Sequence, residues 1–156
     1  MKQPQARTVA TNRKALHDFF IEETYEAGIE LQGTEVKSLR DGRANLRDSY
    51  AAVSQGQLYL HNVHISPYSH GNIANHEPLR SRRLLMHKAE IRRLLGKTQE
   101  KGLTLVPLKI YFNDQGKAKV ELGLGRGKQL HDKRRTIAER DANREIAREL
   151  RSRQKG

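Results

Sequence analysis

Lysine and arginine are the side chains whose number and placement carry chemistry in this sequence, and that chemistry is phosphate neutralisation. The segment from Gly125 to Gly156 opens GRGKQLHDKRR and holds eleven Lys and Arg against five Asp and Glu. Its net +6 is half of the chain's formal +12, carried on a fifth of its length. Apart from Leu130, Ile137, Ile146 and Leu150 it has no large apolar side chain, so it cannot build a core. The composition predicts a tail that is disordered alone and gains structure on an anionic partner, RNA before all others. Further cations stand on separate segments: Lys37 and Arg40, then Arg80 with Arg82 and Arg83, Lys88, Lys117 with Lys119, and Lys128. Cations that neutralise phosphates release condensed counterions, which places the chain among nucleic-acid binders on electrostatic grounds.

Other chemistries fit the residues less well. Seven histidines invite a metal reading, but His61 and His64, three apart in a strand-like segment, fall on opposite faces. His70 and His76 lie in a polar loop with Glu77, and there is neither cysteine nor an HExxH spacing. No metal site and no cofactor are expected. The run Gly123-Leu124-Gly125-Arg126-Gly127-Lys128 looks like a phosphate loop but lacks the GxxxxGK[ST] spacing, and Gln129 stands where the hydroxyl belongs. It reads as a flexible basic hinge. With no Ser–His–Asp set or carboxylate pair to single out, the chain is not expected to be an enzyme. The absence of cysteine suits a reducing cytoplasm. There is no apolar leader, no run of membrane-spanning length, and no apolar helix face or lipidation motif for a membrane surface. The expectation is a cytoplasmic monomer without a membrane.

The elements that must position these cations follow from periodicity. Met1 to Thr11 is polar and reads as a flexible N-terminus. From His17, HDFFIEETYEAGIELQG reads as a strand ending at Gly33. TEVKSLRDG reads as a short helix capped by Thr34 and closed by Gly42, with Val36 and Leu39 on one face. SYAAVSQGQLYLHNVHI reads as two strands around Gln55-Gly56-Gln57, with Leu58 and Leu60 sharing a face. SPYSHGNIANHEPLRSRR reads as a long loop. LLMHKAEIRRLLGKTQEKG has Leu84, Ile91, Leu94 and Leu95 at helical spacing. A hairpin closes the body: Leu108, Ile110 and Phe112 line one strand, and Ala118, Val120, Leu122 and Leu124 line the other. Pro107 marks an edge or bulge. About six short strands and two short helices without βαβ alternation predict a mainly β fold, a small closed antiparallel barrel. In the tail, Arg140, Arg144, Arg148 and Arg151 form a basic ridge at helical spacing. Asp141, Glu145 and Glu149 form an acidic one, so residues 136–153 are expected to become helical only against phosphate.

From about Asn12 to Arg151 the chain resembles the SsrA-binding (small protein B) family of bacterial trans-translation. The likeness rests on NRKALHDFFIEETYEAGIELQGTEVKSLRDGRANLRDSY, HISPY, RSRRLLMHKAEI, the hairpin before GRGK, and HDKR with its charged helical end. It implies a barrel of oligonucleotide-binding type over 12–124, preceded by 1–11 and followed by a tail over 125–156. It further implies binding to the tRNA-like domain of tmRNA (SsrA RNA) through Glu26, Gln32, Glu35, Lys37, Leu85 and His87, with Lys119 and Lys128 as added cations. For Glu35 a structural ion pair is an equal alternative. The second implied partner is the stalled ribosome and its small-subunit rRNA. His131, Asp132, Lys133 and Arg134 match the family's decoding-centre motif, and His17 matches a histidine facing the same region. The arginine ridge would lie along the vacant mRNA channel. Two departures stand out: Gly123 and Gly125 replace a more alanine-containing version, implying a looser hinge, and Gln129 and Leu130 replace a more basic stretch. A basic ribosomal protein or a general RNA chaperone is the alternative, and a ribonuclease the enzymatic one.

Overall fold

Side chains that alternate between core and solvent along successive short segments build a β-fold. The computed structural model describes residues 7–68 and 75–128. Among them the elements are β1 (Arg7–Thr11), α1 (Arg13–Asp18), β2 (Phe19–Ile29), α2 (Gly33–Arg40), β3 (Ala44–Asn45), β4 (Tyr50–Ser54), β5 (Gln57–His61), β6 (His64–Ile65), β7 (Arg82–Leu85), α3 (Lys88–Lys101), β8 (Thr104–Phe112) and β9 (Ala118–Gly127). The fold is mainly β with short helices. The large sheet runs β1-β8-β4-β5-β7-β2-β9, and β9 pairs again with β8. Six strands thus form a ring of antiparallel pairings. β4 meets β8 at Ala51↔Leu105, and β1 pairs with residues 109–112 further along β8.

The inward faces supply the core. Leu58 and Leu60 of β5, Leu84 of β7, Leu105 and Ile110 of β8, and Val120, Leu122 and Leu124 of β9 are buried together, with Leu39 of α2 and Ile91 and Leu94 of α3. Each such side chain contributes about 1.5–3 kcal/mol on burial. Pro107 sits at a register shift in the β8–β9 ladder. The shift divides the apolar residues of β8: Ile110 and Phe112 enter the main core, while Val106 and Leu108 pack with Ala15 of α1. Leu108 therefore does not share a core with Ile110 and Phe112, contrary to the simple alternation.

Several expectations are corrected. Residues Arg7–Thr11 are not loose, because β1 pairs with β8 and puts Val9 and Ala10 against the core. His17 lies in helix α1, not in a strand. Buried Asn12 fixes that helix: its Oδ1 accepts from Ala15 N at 3.1 Å and its Nδ2 donates to the Pro107 carbonyl at 2.9 Å. Gln32, not Thr34, is the N-cap of α2. His76 Nε2 donates to the Ile65 carbonyl and Nδ1 is hydrogen-bonded to the Thr34 hydroxyl, both at 2.8 Å. Leu84 belongs to β7, where Arg82 and Leu84 point inward and Arg83 and Leu85 outward; α3 starts only at Lys88. Gly123–Gly127 is no hinge, since it continues the β2–β9 ladder. A Cβ on Gly125 would stand 2.5 Å from the Phe20 carbonyl oxygen, so the glycine allows the two strands to close.

One polar cluster enters this interior. Glu35 and Arg82 are wholly buried. The Glu35 carboxylate accepts from Arg82 Nε at 2.7 Å, from Arg80 Nε at 2.9 Å and Nη2 at 2.7 Å, and from the Gln32 backbone N–H at 2.8 Å. Burial alone would raise the pKa of Glu35; the bonds from Arg80, Gln32 and Arg82 outweigh it and hold the carboxyl below its ordinary value. Burial pulls Arg82 the other way, but a guanidinium starts so high that it stays charged. Removing one member leaves a buried charge unpaired, so Glu35→Ala is expected to destabilise the fold by about 3–5 kcal/mol in denaturant titrations. Because the folded-state pKa of Glu35 is depressed, its contribution is complete above the unfolded value of about 4.3 and is lost as pH falls below it. Glu35→Gln should remove that part of the acid dependence.

Candidate nucleic-acid interface

The outward faces of four strands align one continuous row. Leu85 of β7 lies opposite Gly28 of β2, Gly28 opposite Lys119 of β9, and Lys119 opposite Tyr111 of β8. Their chain neighbours Leu84, Ala27, Ile29, Val120, Ile110 and Phe112 are buried, which turns the row to solvent. Leu85 is 45% exposed, an apolar side chain beside a cation. The next rung crosses Glu26, Glu121 and Lys109. Tyr111 donates its hydroxyl to Glu26 Oε2, and Lys109 Nζ stands 3.6 Å from Glu121 Oε1 and 5.4 Å from the centre of the Tyr111 ring. Burial, and after it the bond to Glu26, pushes the Tyr111 pKa well up, so the hydroxyl keeps its proton.

Beside the row, a cleft of about 440 Å³ is lined by Leu31 and Val36 as well as Leu85, Lys117 and Lys119. Gln32 and Lys37 are exposed on α2, and Lys37 Nζ lies 5.6 Å from the centre of the Tyr68 ring. His87 is the exposed N-cap of α3, two residues beyond Leu85. Glu26, Leu85 and Lys119 therefore come together, with Gln32, Lys37 and His87 on the elements that flank them. Glu35 does not present itself to a surface. Being buried, it holds α2 against Arg80 and Arg82 and bonds the Gln32 backbone, so it acts on this surface only by holding those elements in place.

Lys128 is not part of this group. β2 and β9 run antiparallel from Gly28↔Lys119 to Phe19↔Gly127. Nine residues of strand separate the two ends, about 30 Å. At the far end Lys128 Nζ lies 4.9 Å from the centre of the Phe20 ring, itself 49% exposed. His17 is exposed on the last turn of α1, its Nδ1 3.0 Å from Asp18 Oδ1, and that hydrogen bond holds Asp18 below the usual carboxylate range. An open cleft there is lined by Arg13, Lys14, His17, Asn45 and Arg47. Arg13 and Arg47 are not singled out by the sequence, because residues 13–16 carry no clear periodicity and Arg47 joins them only through the fold. The predicted residues His131, Asp132, Lys133, Arg134, Arg140, Arg144, Arg148 and Arg151, and the helix over 136–153, lie outside the described residues. Among the described residues no helix is long and apolar enough to cross a membrane.

Comparison with known proteins decides the family. The model of the SmpB protein family matches residues 9–152. The chain belongs to the SmpB family. It is 68% identical over 151 residues to the SsrA-binding protein of Moorella thermoacetica, covering 97% of each chain. It is 57% identical over 155 residues to that of Geobacillus kaustophilus, covering 99% of each. Among solved structures it is similar to a chain described as "tmRNA-SmpB: a journey to the center of the bacterial ribosome". The TM-score is 0.65 with 61% identity, over 76% of this chain and 83% of the other. The family match takes in both ends of the β2–β9 ladder and the basic sequence beyond Lys128.

The geometry is open to direct measurement, because the chain has no cysteine to interfere with single-site labels. Spin labels introduced at positions 119 and 128 are expected to lie about 30 Å apart. Labels at 17 and 128 should be much closer. Equal distances for the two pairs would contradict the placement of Lys128.

Proposed function

We propose that this chain is the tmRNA-binding adaptor of trans-translation. It binds the tRNA-like domain of tmRNA, delivers it to stalled ribosomes, and places its basic C-terminal tail in the decoding centre and the vacant mRNA path. The observation that carries this reading is the separation of two cationic ends by one β-ladder, in a chain of the SmpB family. At the first end Lys119 and Lys37 neutralise phosphates, and Leu85 supplies an apolar contact for a ribose or a base face. Gln32 and His87 offer hydrogen bonds at helix starts, and Glu26 accepts from base amino groups or 2′-hydroxyls. Few exposed aromatic rings accompany these groups, which suits a structured RNA better than a free single strand.

At the second end His17, with Arg13, Arg47 and Lys128, meets ribosomal RNA, and the tail continues from there. His131 stacks on or bonds to a ribosomal base, Lys133 and Arg134 contact phosphate, and Asp132 orients them. Arg140, Arg144, Arg148 and Arg151 then line the empty channel. An intact mRNA fills that channel, so occupancy distinguishes stalled from active ribosomes. The chain works as a cytoplasmic monomer, without a cofactor and without catalysing a reaction.

Removing residues 130–156 is expected to leave tight binding to tmRNA and abolish peptide tagging on stalled ribosomes. Tagging by the shortened chain would contradict the role of the tail. Lys37→Glu should weaken RNA binding at physiological salt, with tmRNA preferred over bulk tRNA in competition. Equal binding to both RNAs would favour a general basic RNA binder instead.

A further inference from the structure

Glu26 is an exposed carboxylate on a surface proposed to meet phosphates, and it lies directly across the β2–β9 ladder from a second carboxylate, Glu121. Like charges placed directly opposite each other repel. A flexible glutamate there would turn away from both Glu121 and an incoming RNA. It is not free to do so. Tyr111, on β8, reaches across β9 and donates its hydroxyl to Glu26 Oε2. Nothing on Gly28, the β2 residue in Tyr111's own cross-strand row, obstructs that reach. Lys109 balances Glu121 and lies over the Tyr111 ring.

We propose that Tyr111 is a positioning residue for RNA recognition. Its hydroxyl holds one oxygen of Glu26 and leaves the other to accept from an RNA hydrogen-bond donor, either a base amino group or a ribose 2′-hydroxyl. This rests on the reading above that Glu26 faces the RNA. A carboxylate aimed in this way discriminates, because it rewards a donor at one place and repels phosphate everywhere else near it. The raised pKa of Tyr111 fits the role, since the hydroxyl stays a donor throughout the physiological range. The ring contributes packing with Lys109, and only the hydroxyl touches Glu26, so Tyr111→Phe removes the positioning bond with little else.

The test uses the full-length chain and the isolated tRNA-like domain of tmRNA at one fixed salt concentration. Affinities are measured for the unaltered chain, Tyr111→Phe, Glu26→Gln and the double variant. Each single variant is expected to bind about tenfold more weakly, the scale of one hydrogen bond to a charged group. The double variant should bind no more weakly than Glu26→Gln alone, because the two act as one unit. Tyr111→Phe should also leave the salt dependence unchanged, whereas Lys119→Ala lowers its slope by about one phosphate contact. A Tyr111→Phe chain that binds as tightly as the unaltered one, while Glu26→Gln is weakened, overturns the positioning role. So do losses that simply add in the double variant. If Glu26→Gln itself binds normally, Glu26 is off the RNA, and the assignment of this row as the interface fails with it.

Discussion

A single buried carboxylate between two guanidinium groups fixes how α2, β7 and the segment before it are put together. Glu35 sits on α2, Arg82 on β7, and Arg80 in the segment that leads into β7. Arg82 also donates to the Val63 carbonyl at 2.8 Å and the Pro78 carbonyl at 3.1 Å. The cluster therefore binds helix, strand and loop to one another by directional bonds. Apolar side chains of similar volume often give equal or greater stability at such a site. The bonds here also carry direction, since each joins named atoms of two elements. The rotation of α2 about its axis decides where Gln32 and Lys37 stand relative to Leu85, and the Glu35 bonds set that rotation. The placement of Gln32 and Lys37 thus depends on a residue that never reaches the surface.

The ladder of β2 and β9 carries the second constraint. It is the longest pairing in the sheet, and different cations stand at its two ends. The strands approach closely enough at Gly125 that no side chain fits there without a shift of the Phe20 backbone. Glycines that look like a hinge in sequence are in fact a condition for close strand contact. The chain is therefore held in register up to Gly127, directly beside Phe19 and the helix that carries His17. The ladder is a strut that holds two groups of cations about 30 Å apart.

Much of this was legible in the sequence where period and turn chemistry agree. Leu58 and Leu60 face inward on one strand of a hairpin, and Gln55 and Gly56 both take positive φ in the turn that precedes it. The final hairpin is equally readable, but Pro107 reads only as an edge or bulge, and the shift there sends Leu108 away from Ile110 and Phe112. What escaped were features decided by distant partners. β1 is polar in sequence and becomes a strand because β8 offers an edge. Leu84 fits a helical period yet joins β7, because β2 and β5 both need a neighbour there and Arg82 must reach Glu35. Lys128 reads in sequence as one more cation of the group around Lys119, but the ladder carries it to the opposite end. Tyr111 was hidden for another reason: alternation shows that it points outward, but only the register shows that Glu26 lies within its reach.

The central claim is that one end of the ladder grips tmRNA while the other stays free for the ribosome. Amide hydrogen exchange of the full-length chain, with and without the tRNA-like domain, addresses it directly. The account predicts added protection around Gly28, Leu85, Tyr111 and Lys119, with residues 13–19 and 126–128 unchanged. Protection concentrated at His17 and Lys128, or spread evenly over both ends, would contradict it.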